Sequence, residues 1–168
     1  MAEGTRIIVG VSGAQSSPAV LRRAAEEAAR RDAVLVPVIA WTPVGGEPAY
    51  RAHPCPPLAK VWEQAALDRL EAAFEQAFGG YPQGVRVEPM VIRGDAGAAL
   101  VEIADRPSDL LVVGAGRRGR LPRLLRGSVS RYCLAHAACD VVAVPPADLP
   151  SAAHAAPRRS DRSFLVAA

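Results

Sequence analysis

Cysteine is scarce in this chain, and its number is odd. The three cysteines give no disulfide framework, because such frameworks need an even set of cysteines. Long apolar runs are also missing: no stretch approaches the roughly 20 residues of a transmembrane helix, and the N-terminus carries no signal-peptide pattern. These absences argue against a disulfide-rich secreted fold and against a membrane protein, and we expect a cytoplasmic protein with reduced thiols.

Charge of one sign is not in large excess either. The 20 lysines and arginines against 17 aspartates and glutamates leave a formal net charge of +3. Five arginines share one segment instead of following a surface stripe, so we expect no nucleic-acid partner; they are Arg117, Arg118, Arg120, Arg123 and Arg126. With 168 residues, half of them hydrophobic, the chain fits one domain with a substantial core.

Short apolar segments alternate along the chain with amphipathic ones. The apolar segments predict strands at residues 6–12, 34–41, 85–92, 110–113 and 140–144. The amphipathic segments predict helices at residues 18–31, 58–78, 95–103 and 128–137. The alternation predicts a single doubly wound α/β domain over residues 1–148, with a five-stranded parallel sheet in the order 3-2-1-4-5 and helices on both faces. The composition of residues 149–168 predicts a disordered tail.

Proline and glycine set several local expectations. Pro37 lies inside the second strand, where proline gives up a hydrogen bond, and we expect irregular pairing there. The prolines and glycines between residues 42 and 57 predict a loop without regular structure. Gly79 and Gly80 predict the end of the long helix, and Asp95 is the expected N-cap of the helix that follows.

Helical periodicity assigns faces to the first two helices. In the first helix it predicts an inner stripe of Leu21, Ala24, Ala25 and Ala28 and an outer face of Arg22, Arg23, Glu26 and Glu27. In the long helix it predicts an inward face of Leu58, Val61, Trp62, Ala65, Leu70, Ala73 and Ala77.

The segment from residue 109 to residue 130 has the pattern of a strand, a Gly/Arg-rich loop and a helix start. Leu110–Val113 is a continuous apolar run, as expected of a strand that is buried on both faces. Gly127 and Ser128 open the next helix, with Ser128 as the expected N-cap. A helix start offers free backbone N–H groups and the positive end of the dipole, so the segment predicts a phosphate site. No catalytic group is evident beside it.

The predicted strand order brings two glycine-bearing turns together. In a doubly wound sheet a ligand binds beyond the carboxyl ends of the strands, where the strand order reverses. With the order 3-2-1-4-5 that reversal lies between the first and fourth strands. The turns at residues 10–13 and 114–119 follow these two strands, and the sequence therefore predicts one shared cleft.

Several segments together resemble the universal stress protein family over about residues 5 to 146. The residues that carry the resemblance are Val-Gly-Val-Ser-Gly at 9–13, Val-Ile-Arg-Gly-Asp at 91–95, Leu-Leu-Val-Val-Gly at 110–114, Gly-Ser-Val-Ser at 127–130 and Cys-Asp-Val-Val-Ala-Val-Pro at 139–145. The combination is specific because the pieces occur in order and at the family's spacing. The resemblance implies an adenine nucleotide alpha-hydrolase-like fold, a stress-response role, and binding rather than catalysis.

The resemblance also implies a site for an adenine nucleotide such as ATP or AMP, and a dimer. Carried over by position, the ligand-contacting residues are Gly10, Val11 and Ser12 at the first turn, Val38 near the base, Val113 and Gly114 beside ribose and phosphate, and Gly127, Ser128 and Val129 on the phosphates. Members of the family commonly dimerise through the last strand, and the resemblance implies a homodimer through Val141–Val144.

Two positions depart from the nucleotide-binding pattern of the family. Arg117 stands where the pattern has its second glycine, and its side chain can obstruct a phosphate or grip it with bidentate hydrogen bonds. Ser12 replaces an acidic residue that helps nucleotide-binding relatives hold the metal, which argues against a Mg²⁺ requirement. The pattern leaves open whether ATP, another anion or no ligand is bound.

Cysteine and histidine residues near the last strand suggest a second kind of site. Cys133, His136 and Cys139, joined by His53 or Cys55, could form a zinc site. Core packing is the favoured interpretation, because free cysteine is commonly buried.

Three functions compete at this point. The first is a stress-response protein that binds an adenine nucleotide and acts through partners; the second is a nucleotide-independent homodimeric interaction module. The third is an ATP-pyrophosphatase-like enzyme, suggested by Ser12–Ser17, which a helix-capping turn explains better.

Overall fold

A computed structural model describes residues 4–12, 17–115 and 129–145, and within them five strands form one parallel sheet. The order is β3-β2-β1-β4-β5, as predicted from the alternation of elements. The strands are β1 (Arg6–Gly10), β2 (Val34–Trp41), β3 (Met90–Arg93), β4 (Leu110–Gly114) and β5 (Asp140–Val144).

The helices cover both faces of this sheet. They are α1 (Ser17–Arg31), α2 (Gly46–Ala52), α3 (Pro56–Phe78), α4 (Ala96–Ile103) and α5 (Val129–His136). α1 packs against α3 on one face, and α4 packs against α5 on the other. The connections therefore change face between β1 and β4, which is the reversal that the predicted strand order requires.

The central strands β1 and β4 are buried on both faces. Along β4, Leu110 and Val112 belong to the core under α1 and α3, whereas Leu111 and Val113 belong to the core under α4 and α5. Side chains alternate between faces along a strand, so a continuous apolar run serves both cores. The prediction of a doubly covered strand at this segment is confirmed.

An ion pair joins the amino ends of β1 and β4. The Arg6 guanidinium donates to both carboxylate oxygens of the buried Asp109, at 3.0 and 2.6 Å. It also donates to the Ile103 carbonyl oxygen at 3.1 Å and to Asp105 Oδ1 at 2.7 Å. The hydrogen bond from Arg6 holds the pKa of the Asp105 carboxyl below its ordinary value. The Nε atom of Arg106 lies 3.9 Å from Asp105 Oδ1, so two arginines face two carboxylates at this amino edge.

The segment between residues 42 and 57, predicted as a loop, contains α2 and the first residues of α3. The prediction was wrong because prolines break helices in their interior but not in their first turn. Pro48 lies in the first turn of α2, and Pro56 and Pro57 occupy the first two positions of α3.

The third strand is shorter than predicted, since it begins only at Met90. Before it, Leu35 accepts a backbone hydrogen bond from Glu88 and donates one to Arg86, each at 2.9 Å. Backbone groups two residues apart in a strand point to the same side, so the nitrogen of Pro37, like that of Leu35, points toward the β3 side. Proline has no N–H to donate there. The irregular pairing expected at this proline is confirmed, and it separates an isolated bridge from the regular strand.

Periodicity assigned some helix faces correctly and others wrongly. The inner stripe predicted for α1 is buried, but Glu27, placed on the outer face, is buried too. In α3 the residues from Leu70 onward are buried as predicted, whereas Leu58, Val61 and Ala65 are exposed. Trp62 of the predicted face is half-buried against the core as expected, and Ala66, which the prediction left out, is fully buried.

Two predicted helix ends are confirmed. Asp95 caps α4, its Oδ1 accepting from the backbone N–H groups of Gly97 at 2.9 Å and Ala98 at 3.1 Å. Gly79 ends α3 with a φ of 70°, and its N–H donates to the Glu75 carbonyl oxygen at 2.8 Å. Among the described helices, none has the length and apolarity needed to cross a membrane.

Helix α4 approaches the carboxyl end of β1 closely at Gly10. A Cβ atom at this position would lie 2.9 Å from Leu100 Cδ1 and 3.7 Å from Val113 Cγ1. The first distance is below van der Waals contact, so any larger residue must displace the Leu100 side chain. The glycine is thus used by the packing of the domain itself.

Replacing Gly10 with alanine should lower the free energy of unfolding by about 1–2 kcal/mol, because the added methyl overpacks against Leu100. Urea unfolding would measure the change. Gly4→Ala is the matched control, since a Cβ there meets nothing within 4 Å and should leave the midpoint unchanged. Adding Leu100→Val to Gly10→Ala should restore part of the loss. Equal midpoints for Gly10→Ala and the wild type would contradict the packing argument.

Glu27 gives the domain a defined pH dependence. Its carboxylate pairs with Arg23 at 2.7 Å, with Arg31 at 3.4 Å and with Arg30, and the hydrogen bond from Arg30 lowers the pKa of Glu27. A lowered folded-state pKa contributes stability above the unfolded pKa of about 4.3, and this stability is lost as the pH falls through the folded value.

Glu27→Gln should therefore destabilise the domain by about 1–2 kcal/mol at pH 7, where three guanidinium groups lose their counter-charge. The difference from the wild type should shrink below pH 4. Urea unfolding at pH 7 and pH 3.5 measures it, and the same difference at both values would contradict the argument.

Candidate functional site

The carboxyl ends of β1 and β4 lie side by side at the reversal of the strand order. Val9 pairs in register with Val112, and the strands end at Gly10 and Gly114. From these ends the chain leads to α1 on one face and toward α5 on the other. Doubly wound sheets bind ligands at such a reversal, beyond the carboxyl ends of the strands, and we call this place the candidate crevice.

Backbone contacts hold the first turn against β2. Gly10 stands opposite Val38 in the sheet, and the N–H of Val11 donates to the Val38 carbonyl oxygen at 2.8 Å. Gly10 also lies beside Val113 of the neighbouring strand β4, whose Cγ1 atom would be 3.7 Å from a Cβ at Gly10. The structure thus brings together four of the residues carried over from the resemblance, taken from three separate strands.

The two strand valines of this group, Val38 and Val113, are core residues. Val38 and Val113 are each 2% exposed and pack into the core under α4 and α5. Ser12 is exposed at the mouth of the crevice, and Gly114 is half-buried. Beyond Gly114, the N–H of Ala115 donates to the Val144 carbonyl oxygen at 2.7 Å, which ties the start of that connection to β5.

The phosphate side of the predicted site is described only at its edge. Arg117, Gly127 and Ser128 lie outside the described residues, as do the other arginines of that segment, and their roles stay predictions. Val129 begins α5 and is exposed, and Ser130 after it is buried.

Acidic side chains at the carboxyl edge are already engaged. Asp95 caps α4 with its Oδ1 atom, and the turn after β1 carries Ser12 at the position of the family's acidic residue. In the part of the chain that the structure describes, no three His, Cys, Asp or Glu side chains are grouped to hold a metal ion.

The cysteines near the last strand belong to the core. Cys133 is fully buried under α4 and α5, and Cys139 is half-buried at the margin of the same core. Burial raises the pKa of both thiols, which disfavours the thiolate that binds metals. His136 stacks on the Tyr132 ring, with centroids 4.2 Å apart. The core-packing interpretation of Cys133 is confirmed.

Sequence reasoning missed a cluster at the carboxyl ends of β2 and β3. Arg93 donates to both carboxylate oxygens of Glu47, at 2.8 and 3.0 Å, and lies over the Tyr50 ring, 4.3 Å from its centroid. Trp41 and Trp62 complete this group, which we call the Arg93 cluster. No sequence signal linked Glu47 to Arg93, because the helix that carries Glu47 was predicted as a loop.

Known sequences resemble this chain over nearly all of its described length. A model of the universal stress protein family matches residues 4–145. A universal stress protein of Mycolicibacterium smegmatis is 30% identical over 143 residues, which are 83% of this chain and 45% of the relative. Universal stress protein Slr1101 of Synechocystis is 34% identical over 90 residues, 53% of this chain and 81% of that protein. The chain thus spans about half the length of the mycobacterial relative.

Solved structures show the same fold. The universal stress protein UspA from Lactobacillus plantarum superposes with a TM-score of 0.64 at 22% identity, over 86% of this chain and 99% of that one. A universal stress protein in complex with cAMP superposes with a TM-score of 0.54 at 30% identity, over 85% of this chain and 98% of that one. The family match over residues 4–145, together with this fold and strand order, shows that the chain belongs to the universal stress protein family.

Proposed function

We propose that this protein binds an adenine nucleotide at the crevice between β1 and β4 and acts through partners rather than by turnover. The observation that carries the proposal is the contact of Gly10 and Val11 with β2 and β4 at the reversal of the strand order. The universal stress protein solved with cAMP supports the choice of ligand, since it is 30% identical and covers 85% of this chain.

The ligand would lie along the carboxyl edge of the sheet. The base would rest near Val38 and Gly10, where backbone groups and a buried apolar floor replace water. The ribose and phosphates would extend past Gly114 toward the start of α5, whose backbone N–H groups and dipole favour negative charge. Arg117 would contact a phosphate through its guanidinium group.

Binding of this kind needs no divalent metal. Ser12 stands where family members with the nucleotide-binding pattern have an acidic residue. The Asp95 carboxylate caps helix α4. Mg²⁺ prefers carboxylate and phosphate oxygens, so little on this edge would hold it apart from the ligand. The proposed affinity therefore comes from backbone N–H groups and arginine, with phosphate as the recognised group.

We also propose that two copies pair through β5. Among the described strands β5 has a single neighbour, β4, and its outer edge carries the backbone groups of Val141 and Ala143. Its valines are half-buried in a single copy. An open edge of apolar residues favours pairing with another strand. If no nucleotide binds, this pairing supports the alternative, a nucleotide-independent interaction module.

Isothermal titration of the full chain with ATP, AMP and cAMP tests the first proposal. We expect saturable heat with at least one of them and less than a twofold change in affinity on adding Mg²⁺. Gly127→Asp should remove the binding, because it sets a carboxylate where the phosphate would lie, while the urea midpoint stays within error. No heat with all three nucleotides, or equal affinity for Gly127→Asp, would contradict the site.

The β5 edge has a variant that spares the domain. The Val144 carbonyl oxygen points toward β4, because it accepts from the N–H of Ala115 just after that strand. Neighbouring residues of a strand point their backbone groups to opposite sides, so the N–H of Ala143 points away from β4. Ala143→Pro should therefore remove a hydrogen bond across the dimer and none within the sheet. Light scattering should show half the wild-type mass for this variant and the full mass for Ala143→Val. A dimeric Ala143→Pro variant would place the interface elsewhere.

A further inference from the structure

Helix α2 is attached to the domain by very few side chains. All seven of its residues are described, and none is buried. The side chains of Glu47 and Tyr50 attach α2 to the rest of the domain, and both lead to the Arg93 cluster. Trp41 is the buried core residue of this cluster, so removing α2 would leave the rest of the core covered.

Arg93 holds α2 by charge and by ring contact. Its guanidinium forms a two-pronged pair with Glu47, and the pair lowers the pKa of the Glu47 carboxyl. The same guanidinium lies 4.3 Å from the Tyr50 ring centroid and 5.5 Å from that of Trp41. The Tyr50 ring meets the Trp62 ring edge-on at 6.2 Å. One cation thus contacts both of the α2 side chains that reach the cluster, Glu47 and Tyr50.

These contacts are exposed enough to be weak. The side chains of Arg93 and Glu47 are 35% and 34% exposed. Ion pairs in contact with water contribute little to stability and are screened by salt. A helix of seven residues is also marginal without tertiary support, so α2 should lose its helical hydrogen bonds whenever it leaves the Arg93 cluster.

Two glycines stand at the start of the segment. Gly45 precedes α2 and Gly46 is its first residue, each with a φ of 85°, a region that other residues rarely adopt. Before them Pro43 is buried and accepts from the Gly46 N–H at 2.8 Å, which fixes the chain just outside the segment. After α2, residues 53–57 are exposed until α3 is under way.

We propose that residues 45–55 form a strap that docks over the carboxyl ends of β2 and β3 through Arg93 and releases as a unit while the rest of the domain stays folded. Release uncovers the Arg93 guanidinium and the Trp41 and Trp62 rings. Trp41 ends the strand that carries Val38, about 10 Å away along β2, so the strap determines which surface borders the candidate crevice. This inference does not depend on nucleotide binding.

Two readouts report on the strap directly. Both tryptophans of the chain belong to the Arg93 cluster, so intrinsic fluorescence reports on this place. Amide hydrogen exchange across residues 45–55 reports the helical hydrogen bonds of α2, among them the His53 N–H to the Ala49 carbonyl oxygen at 3.3 Å.

Glu47→Gln should speed exchange in residues 45–55 at least threefold and shift the tryptophan emission, with the urea midpoint and the exchange of β1 and β4 unchanged. Glu88→Gln is the matched control, because it removes an exposed pair with Arg86, 2.6 Å long, outside the cluster. It should change neither readout. Unaltered exchange in Glu47→Gln, or a fall in midpoint that accelerates exchange throughout the domain, would overturn the proposal.

A second pair of measurements tests whether Arg93 holds the strap in place. Arg93→Lys keeps the charge but loses the planar fork and the ring stacking, and it should release the strap as Glu47→Gln does. In the wild type, raising NaCl from about 0.05 M to about 1 M should speed amide hydrogen exchange in residues 45–55 only, because salt screens the Arg93–Glu47 pair. Exchange that is insensitive to both changes would overturn the proposal even if Glu47→Gln fails to fold.

Discussion

Burial of β1 and β4 on both faces is the constraint on which the rest of this structure depends. Two helices cover each face of the sheet, and no side chain in the interior of these strands reaches solvent. Their amino ends are joined by the Arg6–Asp109 pair, which satisfies its own charges. The carboxyl ends remain, and there the backbone of the first turn is held by β2 and its floor is apolar. Because the interior of both strands is covered, their ends are where the centre of the sheet meets solvent.

Local signals predicted much of the fold. The apolar run at Leu110–Val113 and the cap at Asp95 were identified correctly, because each depends on residues within a few positions. The face of Leu58 and Val61 was predicted wrongly, since it depends on how Trp62 meets Trp41 in another element. Helix α2 was missed because composition alone does not distinguish a proline in the first turn from one in the interior.

The meeting of three candidate site residues was predictable for a different reason. Gly10, Val38 and Val113 come from three strands that only the strand order brings together. The motifs and spacing of the family are tied to that strand order, so the resemblance predicted the meeting. The Arg93 cluster has no such spacing to reveal it. Glu47 and Arg93 are 46 residues apart, and their pairing depends on a helix whose position is set by the pairing itself. Contacts of this circular kind are visible only in three dimensions.

Gly10 shows how packing and recognition share a single position. The absence of a Cβ lets Leu100 of α4 reach the end of β1, where its side chain occupies the space that a larger residue would need. A larger residue would therefore disturb the domain before it met any ligand. Packing alone therefore requires a glycine at this position, whether or not a nucleotide lies beside it.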